Sequence, residues 1–462
     1  MMFTLQQALG WIPGATLVGA ADVAVQRVHS DTRTLEGGDL FVAIRGERFD
    51  ANDFIADARD KGAAAALAHR GRIPSGFSGL EVDDAKLALG QLAAGWRAQF
   101  QLPLIAVTGS NGKTTVTQMI AAILRAWQPQ ATLATQGNLN NDIGVPLTLL
   151  GLNATHGVGV IELGMNHPGE IGYLARIARP TVALVNNAQR EHQEFMATVQ
   201  AVALENGSVF DAMGRGGVAV YPADEEFTAL WSGLAAPRAS MTFGDDGRAD
   251  IVLAGSAWQQ GHWNVNVKTP AGLLAYSLQV AGRHNVRNST AAIACALVAG
   301  APLGAIARGL QSFTPVRGRS RALDVMLDGR SVTLVDDSYN ANPDSVRAAI
   351  DLLAELPGPR LLVLGDMGEV GDRGPQFHHE VGEYARERRI DSLFTLGEQA
   401  AAMGGRHFSD IESLNAAVLA QLPRAASVLV KGSRFMKMER VVRAITAQQE
   451  RPQEEKETGH DA

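Results

Sequence analysis

Cysteine is all but missing, with one residue, Cys295, in 462. That excludes a disulfide framework within the chain and suits a reducing compartment. Lysine is scarce too, at seven residues, so a lysine inside a structured motif stands out. An excess of positive charge is also absent. The net charge of −7 argues against a general nucleic-acid binder, and an anionic ligand must be held by local positive groups. Long apolar runs are lacking as well. The longest internal uncharged stretch, residues 288–307, is Ala-rich and broken by Gly300, Pro302 and Gly304, which suits a helix in a soluble core and not a membrane span. The first twenty residues, "MMFTLQQALGWIPGATLVGA", have no basic start, and Gln6, Gln7, Gly10 and Pro13 interrupt their apolar residues. They make a poor signal peptide, so a cytoplasmic protein is expected.

What is present is ordinary for a soluble protein: 46% hydrophobic and 19% charged residues. The length calls for two or three domains. Residues 1–98 mix short strands and helices around the turn-rich "SDTRTLEGGDLFVAIRGERFDANDFI", and "FQLPL" (100–104) makes a hinge into the next block. Residues 99–314 alternate strand-like "LIAVTG", "GVGVIELG" and "TVALVNN" with helical patterns, the signature of a mostly parallel sheet covered by helices. Residues 315–450 alternate again through "VTLVDDSYN", "LLVLGDM", "SLFTLG" and "SVLVKGS". In this block Asn342 can cap a helix with Pro343 in its first turn and Val346, Ile350, Leu353 and Leu356 on one face. The tail 451–462, "RPQEEKETGHDA", is charged, lacks large apolar residues and is expected to be disordered.

"IAVTGSNGKTT" (105–115) carries the most chemistry. An apolar strand ends at Val107, and Val116, Met119, Ile120, Ile123, Leu124 and Trp127 form a helical stripe after it. Gly109, Ser110, Asn111 and Gly112 therefore lie at a helix N-terminus, where free N–H groups and the helix dipole favour an anion. Lys113 can reach terminal phosphates, the Thr114 hydroxyl can ligate Mg²⁺, and Thr115 follows it. The usual phosphate loop has four residues between its glycines, and here there are two. A bland Gly-rich connection is the alternative, and the strand–loop–helix context with Lys-Thr-Thr weighs against it. Glu162 and His192 follow two further strands, at the edge where parallel sheets bind ligands. Taken singly, Glu162 is more often a capping or paired carboxylate, and His192 a surface or core histidine. "VDDSYNANP" repeats the strand-end arrangement in the third block.

"TGSNGKTT", "GNLNNDIGVPLTLL", "IELGMNHPGEI", "GRHNVRN", "VRGR", "DDSYNANP", "LGDMGEVG" and "VKGS", in this order, resemble the Mur ligases over nearly the whole chain, from Ser30 to Lys431. The short lysine loop is that family's own version. Within the family, "GNLNNDIG" together with "DDSYNANP" resembles the member that joins D-alanyl-D-alanine to UDP-N-acetylmuramoyl-tripeptide.

The resemblance implies an α/β protein of three domains: a small mixed α/β domain for the UDP-sugar, a central P-loop ATPase-like domain with a mostly parallel sheet, and a Rossmann-like domain for the incoming amine. It implies an ATP- and Mg²⁺-dependent amide ligation through an acyl phosphate, with small-molecule substrates, no nucleic acid and no membrane span. A monomer is the expected state. By resemblance, Gly109 to Thr115 cradle the phosphates, and Lys113 neutralises developing charge. Thr114, Glu162 and His192 match the metal site, Asn285 the adenine contact, Arg319 an arginine at the phosphates, and Asp337 the ribose contact. Ser30, Asp31, Arg33 and Asp50 fall at the uridine end, Asn140 and Asn141 beside the phosphate and peptide region, and Lys431 and Ser433 at the amine side.

One departure stands out. The family's carbamylated lysine position is occupied by Asn206, in a stretch with no lysine between Lys113 and Lys268. Mg²⁺ among phosphates needs hard anionic oxygens, so Glu205 is expected to supply that charge, with Glu191 and Glu194 as competitors. Two rival readings remain: a relative adding a single amino acid, such as the tripeptide-forming or folylpolyglutamate-type ligases, and a phosphate-loop regulatory NTPase. Phosphate release that requires both the acid and the amine discriminates a ligase from the NTPase.

Overall fold

A computed structural model of the chain describes residues 1–191, 194–196, 198–259, 261–327 and 329–448. The tail 451–462 and His192 lie outside them. Among the described residues the strands gather into three main sheets in successive stretches of chain.

The first sheet has five strands in the order Thr16–Val18, Gly79–Val82, Ala65–His69, Asp39–Val42, Arg27–His29, parallel except at the Thr16 edge. The helix Ala85–Arg97, capped by Asp84, joins this unit to the next. Its far end is tied down by Trp96 and Arg97, whose side chains donate to the carbonyls of Leu152 (3.1 Å) and Ala178 (3.0 Å). Burying these donors on backbone acceptors fixes the first unit against the second.

The nine-stranded central sheet places Leu104–Thr108 between Val158–Glu162 and Val182–Val185, all parallel and fully buried. Such strands are apolar throughout because helices cover both faces. The helix Lys113–Trp127 follows, and Val116, Met119, Ile120, Ile123 and Leu124 form its buried stripe. Parallel pairing continues through Val218–Pro222 and Ala239–Gly244 to Ile251–Gln259. Then His262–Thr269 and Gly272–Leu278 add an antiparallel extension, with Trp263, Val265 and Val267 inward and Asn264, Asn266 and Lys268 outward. This extension has a legible period of two, yet the strand–helix alternation did not anticipate it.

The third sheet runs Arg321–Leu327, Arg330–Asp337, Ser427–Lys431, Arg360–Gly365, Ser392–Leu396, Arg406–Phe408, parallel except for its first pair. Asn342 caps the helix Pro343–Glu355 with Pro343 in its first turn, and Val346, Ile350 and Leu353 are buried. No helix among the described residues is long and apolar enough to cross a membrane.

Candidate active site

The carboxyl ends of the central and third sheets face each other across a cleft of about 810 Å³. The lysine loop, Asn140, Asn141 and Glu162 line its central side, and Arg319, Tyr339, Lys431 and Arg434 its other side. A smaller pocket of about 240 Å³ adjoins it, lined by Thr115, Glu225, Asn285, Arg319 and Asp337 among others. Gly112, Asn111, Arg319 and Lys431 border both.

The lysine loop is held by amide side chains from distant parts of the sequence. Asn206 Oδ1 accepts from Thr108 Oγ1 (2.6 Å) and the Gly109 N–H (3.0 Å). Asn187 Oδ1 accepts from the Asn111 N–H, and Asn186 and Asn187 both donate to the Asn111 carbonyl. The two glycines are required: Gly109 has φ 130° and Gly112 φ 81°, and a Cβ on Gly112 would lie 2.7 Å from Asn288 Oδ1. The Ser110 N–H donates to the Asn187 carbonyl, so the N–H groups of Gly109, Ser110 and Asn111 are all spent within the protein, and those at Gly112 and the first turn of the helix are the ones left to meet an anion.

Lys113 is largely buried, its side chain 14% exposed. Its Nζ donates to the carbonyls of Gly109 (2.6 Å) and Ser110 (3.0 Å) and to Glu191 Oε1 (2.7 Å). Beside it Thr114 Oγ1 donates to Glu162 Oε1 (3.2 Å), which also accepts from Asn140 Nδ2 (2.7 Å). The second carboxylate oxygen of Glu162 is buried and has no hydrogen-bond partner among the described residues. A buried, unpartnered carboxylate oxygen is costly unless a cation completes it. Among the described residues no group of three His, Cys, Asp or Glu could by itself hold a metal. The donor set of Glu162 and Thr114 thus fits Mg²⁺, which takes one or two protein oxygens and fills its remaining positions with phosphate and water.

On the opposite side, Asp337 and Lys431 are register partners on neighbouring strands, so their side chains share a face and pair at 2.6 Å. Lys431 Nζ also donates to the Asn340 carbonyl. Arg319 stacks over the Tyr339 ring, 4.1 Å from its centroid, and has no ion pair among the described residues. In the small pocket Asn285 donates to the Ala281 carbonyl, and Asn288 donates to Asn285 Oδ1. Burial holds the neighbouring His284 imidazole below its ordinary pKa, hence neutral. Burial also pushes the Glu225 carboxyl up to about 7, against the pull of Arg287.

Two further ties cross the cleft. Asn111 and Asn342 exchange side-chain hydrogen bonds, the shorter 2.9 Å. Arg190 grips Asp344 (Nη2 to Oδ1, 2.6 Å), donates to Glu380 (3.0 Å) and lies over Phe377. Arg190 carries no motif of its own in the sequence. The signal for it was position, between Gln189 and Glu191 past a strand end.

Several expected residues sit elsewhere. Glu205 does not line the cleft: its oxygens accept from the N–H groups of Gly169 (2.8 Å) and Ile171 (2.9 Å), capping the helix Glu170–Ala178. Successive helical residues turn by about 100°. With Asn206 facing the lysine loop, Glu205 must face another way, and the expected metal ligand is a helix cap. Ser433, only 1% exposed, is tied to the Ala341 carbonyl and the Gly368 N–H and does not reach the cleft. Asn141 lines the cleft, but its Oδ1 caps the helix Gly144–Leu150 from the Gly144 N–H. Ser30, Asp31, Arg33 and Asp50 lie on the first sheet's loops, outside both pockets. There Arg33 holds the Asp31 carboxyl well below the usual carboxylate range, and Asp50 accepts from Asn52.

Three family models cover most of the chain: the Mur ligase family catalytic domain over residues 24–97, the Mur ligase middle domain over 107–296, and the Mur ligase glutamate ligase domain over 323–434. The UDP-N-acetylmuramoyl-tripeptide–D-alanyl-D-alanine ligase of Escherichia coli K12 is 40% identical over 433 residues, 92% of this chain and 94% of that protein. The chain belongs to the Mur ligase family. Among solved Mur ligases, MurF from Acinetobacter baumannii superposes with a TM-score of 0.89 at 35% identity, covering 96% of this chain and 99% of that one. MurF from Thermotoga maritima in complex with ADP gives 0.83 at 27% identity, covering 93% and 99%. The three-domain α/β architecture is thus that of the MurF structures of this family, and the chain is an ATP-dependent ligase.

Proposed function

We infer that the protein joins D-alanyl-D-alanine to UDP-N-acetylmuramoyl-tripeptide, with conversion of ATP to ADP and phosphate, giving the pentapeptide precursor of peptidoglycan. The observation that carries this reading is the pairing of walls. A lysine loop and a Glu162 oxygen that has no partner among the described residues face Arg319 and Lys431 across one cleft of about 810 Å³.

In this reading residues 1–98 bind the UDP-sugar, 99–314 hold ATP, and 315–450 present the dipeptide. ATP lies with its base in the small pocket near Asn285, its ribose at Asp337 and its phosphates on residues 109–115. A carboxylate does not react with an amine at neutral pH until one of its oxygens becomes a good leaving group. The tripeptide carboxylate attacks the γ-phosphorus and ADP departs, leaving an acyl phosphate. The dipeptide amine, having lost its proton, attacks the acyl carbon, and phosphate leaves.

Residues of the chain supply positioning and charge to these steps. The N–H groups at Gly112 and the first turn of the following helix, together with Lys113, neutralise phosphoryl oxygens in a partly dry site, where charge interactions exceed those in water. For this Lys113 must exchange Glu191 for phosphate. Arg319, bordering both pockets, faces the same oxygens from the other wall. Glu162 and Thr114 would hold Mg²⁺, which when bound offsets phosphate charge. Asn140 orients Glu162, and Asn206 fixes the loop. The enzyme works in the cytoplasm as a monomer.

Mass spectrometry of a mixture of ATP, UDP-N-acetylmuramoyl-tripeptide and D-alanyl-D-alanine tests the reading. The pentapeptide should form, and phosphate release should require all three. Phosphate release without the amine would instead favour a regulatory NTPase.

A further inference from the structure

The incoming dipeptide brings a charge that the roles above leave unmatched. Its amine must reach the acyl carbon near Lys113 and Glu162. Its terminal carboxylate trails two residues behind, up to about 7 Å away. That anion needs a cation on the third-sheet wall.

Of the cations lining the large cleft, Lys113 and Lys431 are engaged, the first with Glu191 and two carbonyls, the second with Asp337 and the Asn340 carbonyl. Arg319 borders the small pocket as well and suits the phosphates. Arg434 remains. It lines the large cleft only, its side chain is 59% exposed, and its guanidinium lies 5.6 Å from the Tyr339 ring centroid. Nη1 donates to Glu439 Oε1 at 3.0 Å, while Nε and Nη2 make no hydrogen bond among the described residues. A guanidinium with part of its donor fork open, beside an aromatic ring, is built to receive a planar carboxylate. Its backbone is fixed, because buried Ser433 just before it is tied to both Ala341 and Gly368. Ser433 thus positions Arg434 and need not touch substrate. The bland alternative is that Arg434 only pairs with Glu439 at the start of the helix Glu439–Thr446.

We propose that Arg434, backed by Tyr339, binds the terminal carboxylate of the incoming dipeptide and so selects a free-acid amine substrate. The proposal rests on the dipeptide-ligase reading. Steady-state kinetics of the parent, Arg434→Ala, Arg434→Lys and Glu439→Gln, each with D-alanyl-D-alanine and with its C-terminal amide, tests it. A hydrogen bond to a charged group is worth a factor of about 10 to 100. The parent should show that loss in kcat/KM with the amide. Arg434→Ala should show it with the free acid, mainly in KM, and should no longer distinguish acid from amide. KM for ATP and for the UDP-substrate should stay within about twofold of the parent. Lysine should restore part of the preference, and Glu439→Gln should keep it.

The proposal is overturned if the parent accepts the amide as readily as the acid, or if Arg434→Ala keeps the preference. A rise in KM for the UDP-substrate instead would make Arg434 a phosphate contact, and the same loss in Glu439→Gln would make it a helix prop. A parent that forms no pentapeptide from the three substrates overturns the ligase reading itself. Should Arg434→Ala fold poorly, the amide comparison on the parent and the lysine variant still decide.

Discussion

Both walls of the cleft are carboxyl ends of parallel strands, yet they hold their polar groups differently. On the central wall, Asn206, Asn186, Asn187 and Asn288 lock the lysine loop through buried amide bonds, and Glu162 is sealed at 1% exposure. On the third-sheet wall two arginines lean on one tyrosine ring, and Arg434 reaches into solvent. The first wall is preorganised, which suits phosphate chemistry, where misplaced dipoles reduce rate directly. The second can adjust, which suits an amine that reacts only once the acyl phosphate has formed. Arg190 and Asn111 join the two, both at the start of the helix Pro343–Glu355.

The largest break in this contrast should come from Lys113→Ala. Losing the one lysine of the rigid wall should lower turnover by a factor on the order of 10² at saturating ATP, judged from single-group losses at electrostatic sites. The fold should survive with a lowered melting temperature, since the variant takes the cation away from Glu191, itself only 11% exposed. Near-normal turnover in this variant would remove the nucleotide assignment.

Much of the rigid wall was legible in the sequence because its signals are local: strand, glycines, lysine and stripe occur within about two dozen residues. The Asn342 cap with Pro343 was legible for the same reason. What locks the loop was not. Thr108 and Asn206 are 98 positions apart, and no short pattern marks an amide that will face a distant N–H. Glu205 shows the complementary error, since charge type and nearness to a motif suggested a metal ligand while the helix turn points it at another helix's N-terminus. Lys431 was legible as a strand-end lysine, but its partner Asp337 follows only from strand register.

Asn206→Ala tests whether the locking matters. It leaves the Gly109 N–H and the Thr108 hydroxyl buried without their acceptor, at a cost of about 1–3 kcal/mol. The expected result is a lower denaturation midpoint together with a raised KM for ATP. With no lysine at this position the parent should not respond to added bicarbonate in CO₂-depleted buffer. Stimulation would mean that another lysine is modified.

Arg190→Ala tests the join. The network is partly exposed, so a contribution of about 1 kcal/mol to the closed arrangement is the sensible scale. That corresponds to a several-fold fall in kcat/KM for the dipeptide, with binding of ATP to the central wall little changed. Small-angle scattering should show a larger radius of gyration for the variant, and compaction of the parent when nucleotide and acceptor are added together. Identical scattering curves in all these states would argue against closure as the role of this contact.

The smallest effect is expected at Glu225, on the small pocket of the rigid wall. Burial raises its carboxyl to about 7 from an ordinary value of 4.5, although Arg287 lies 3.7 Å away. An acid whose folded pKa is raised binds more protons in the folded state between these two values. Stability is therefore fully present below about 4.5 and falls as pH rises towards and through about 7. The side chain keeps 21% of its exposure, so screening limits the loss to roughly 1 kcal/mol or less. Glu225→Gln removes the titration and keeps a neutral side chain of the same shape. Denaturation midpoints at pH 6 and pH 8.5 should therefore differ less for the glutamine variant than for the parent, with the variant the more stable of the two at pH 8.5. KM for ATP should follow, rising above pH 7 in the parent as a carboxylate forms beside the anionic nucleotide and staying flatter in the variant. Parallel pH profiles for the two proteins would show that Glu225 is already ionised at neutral pH, paired with Arg287, and that the pocket is more open to water than its walls suggest.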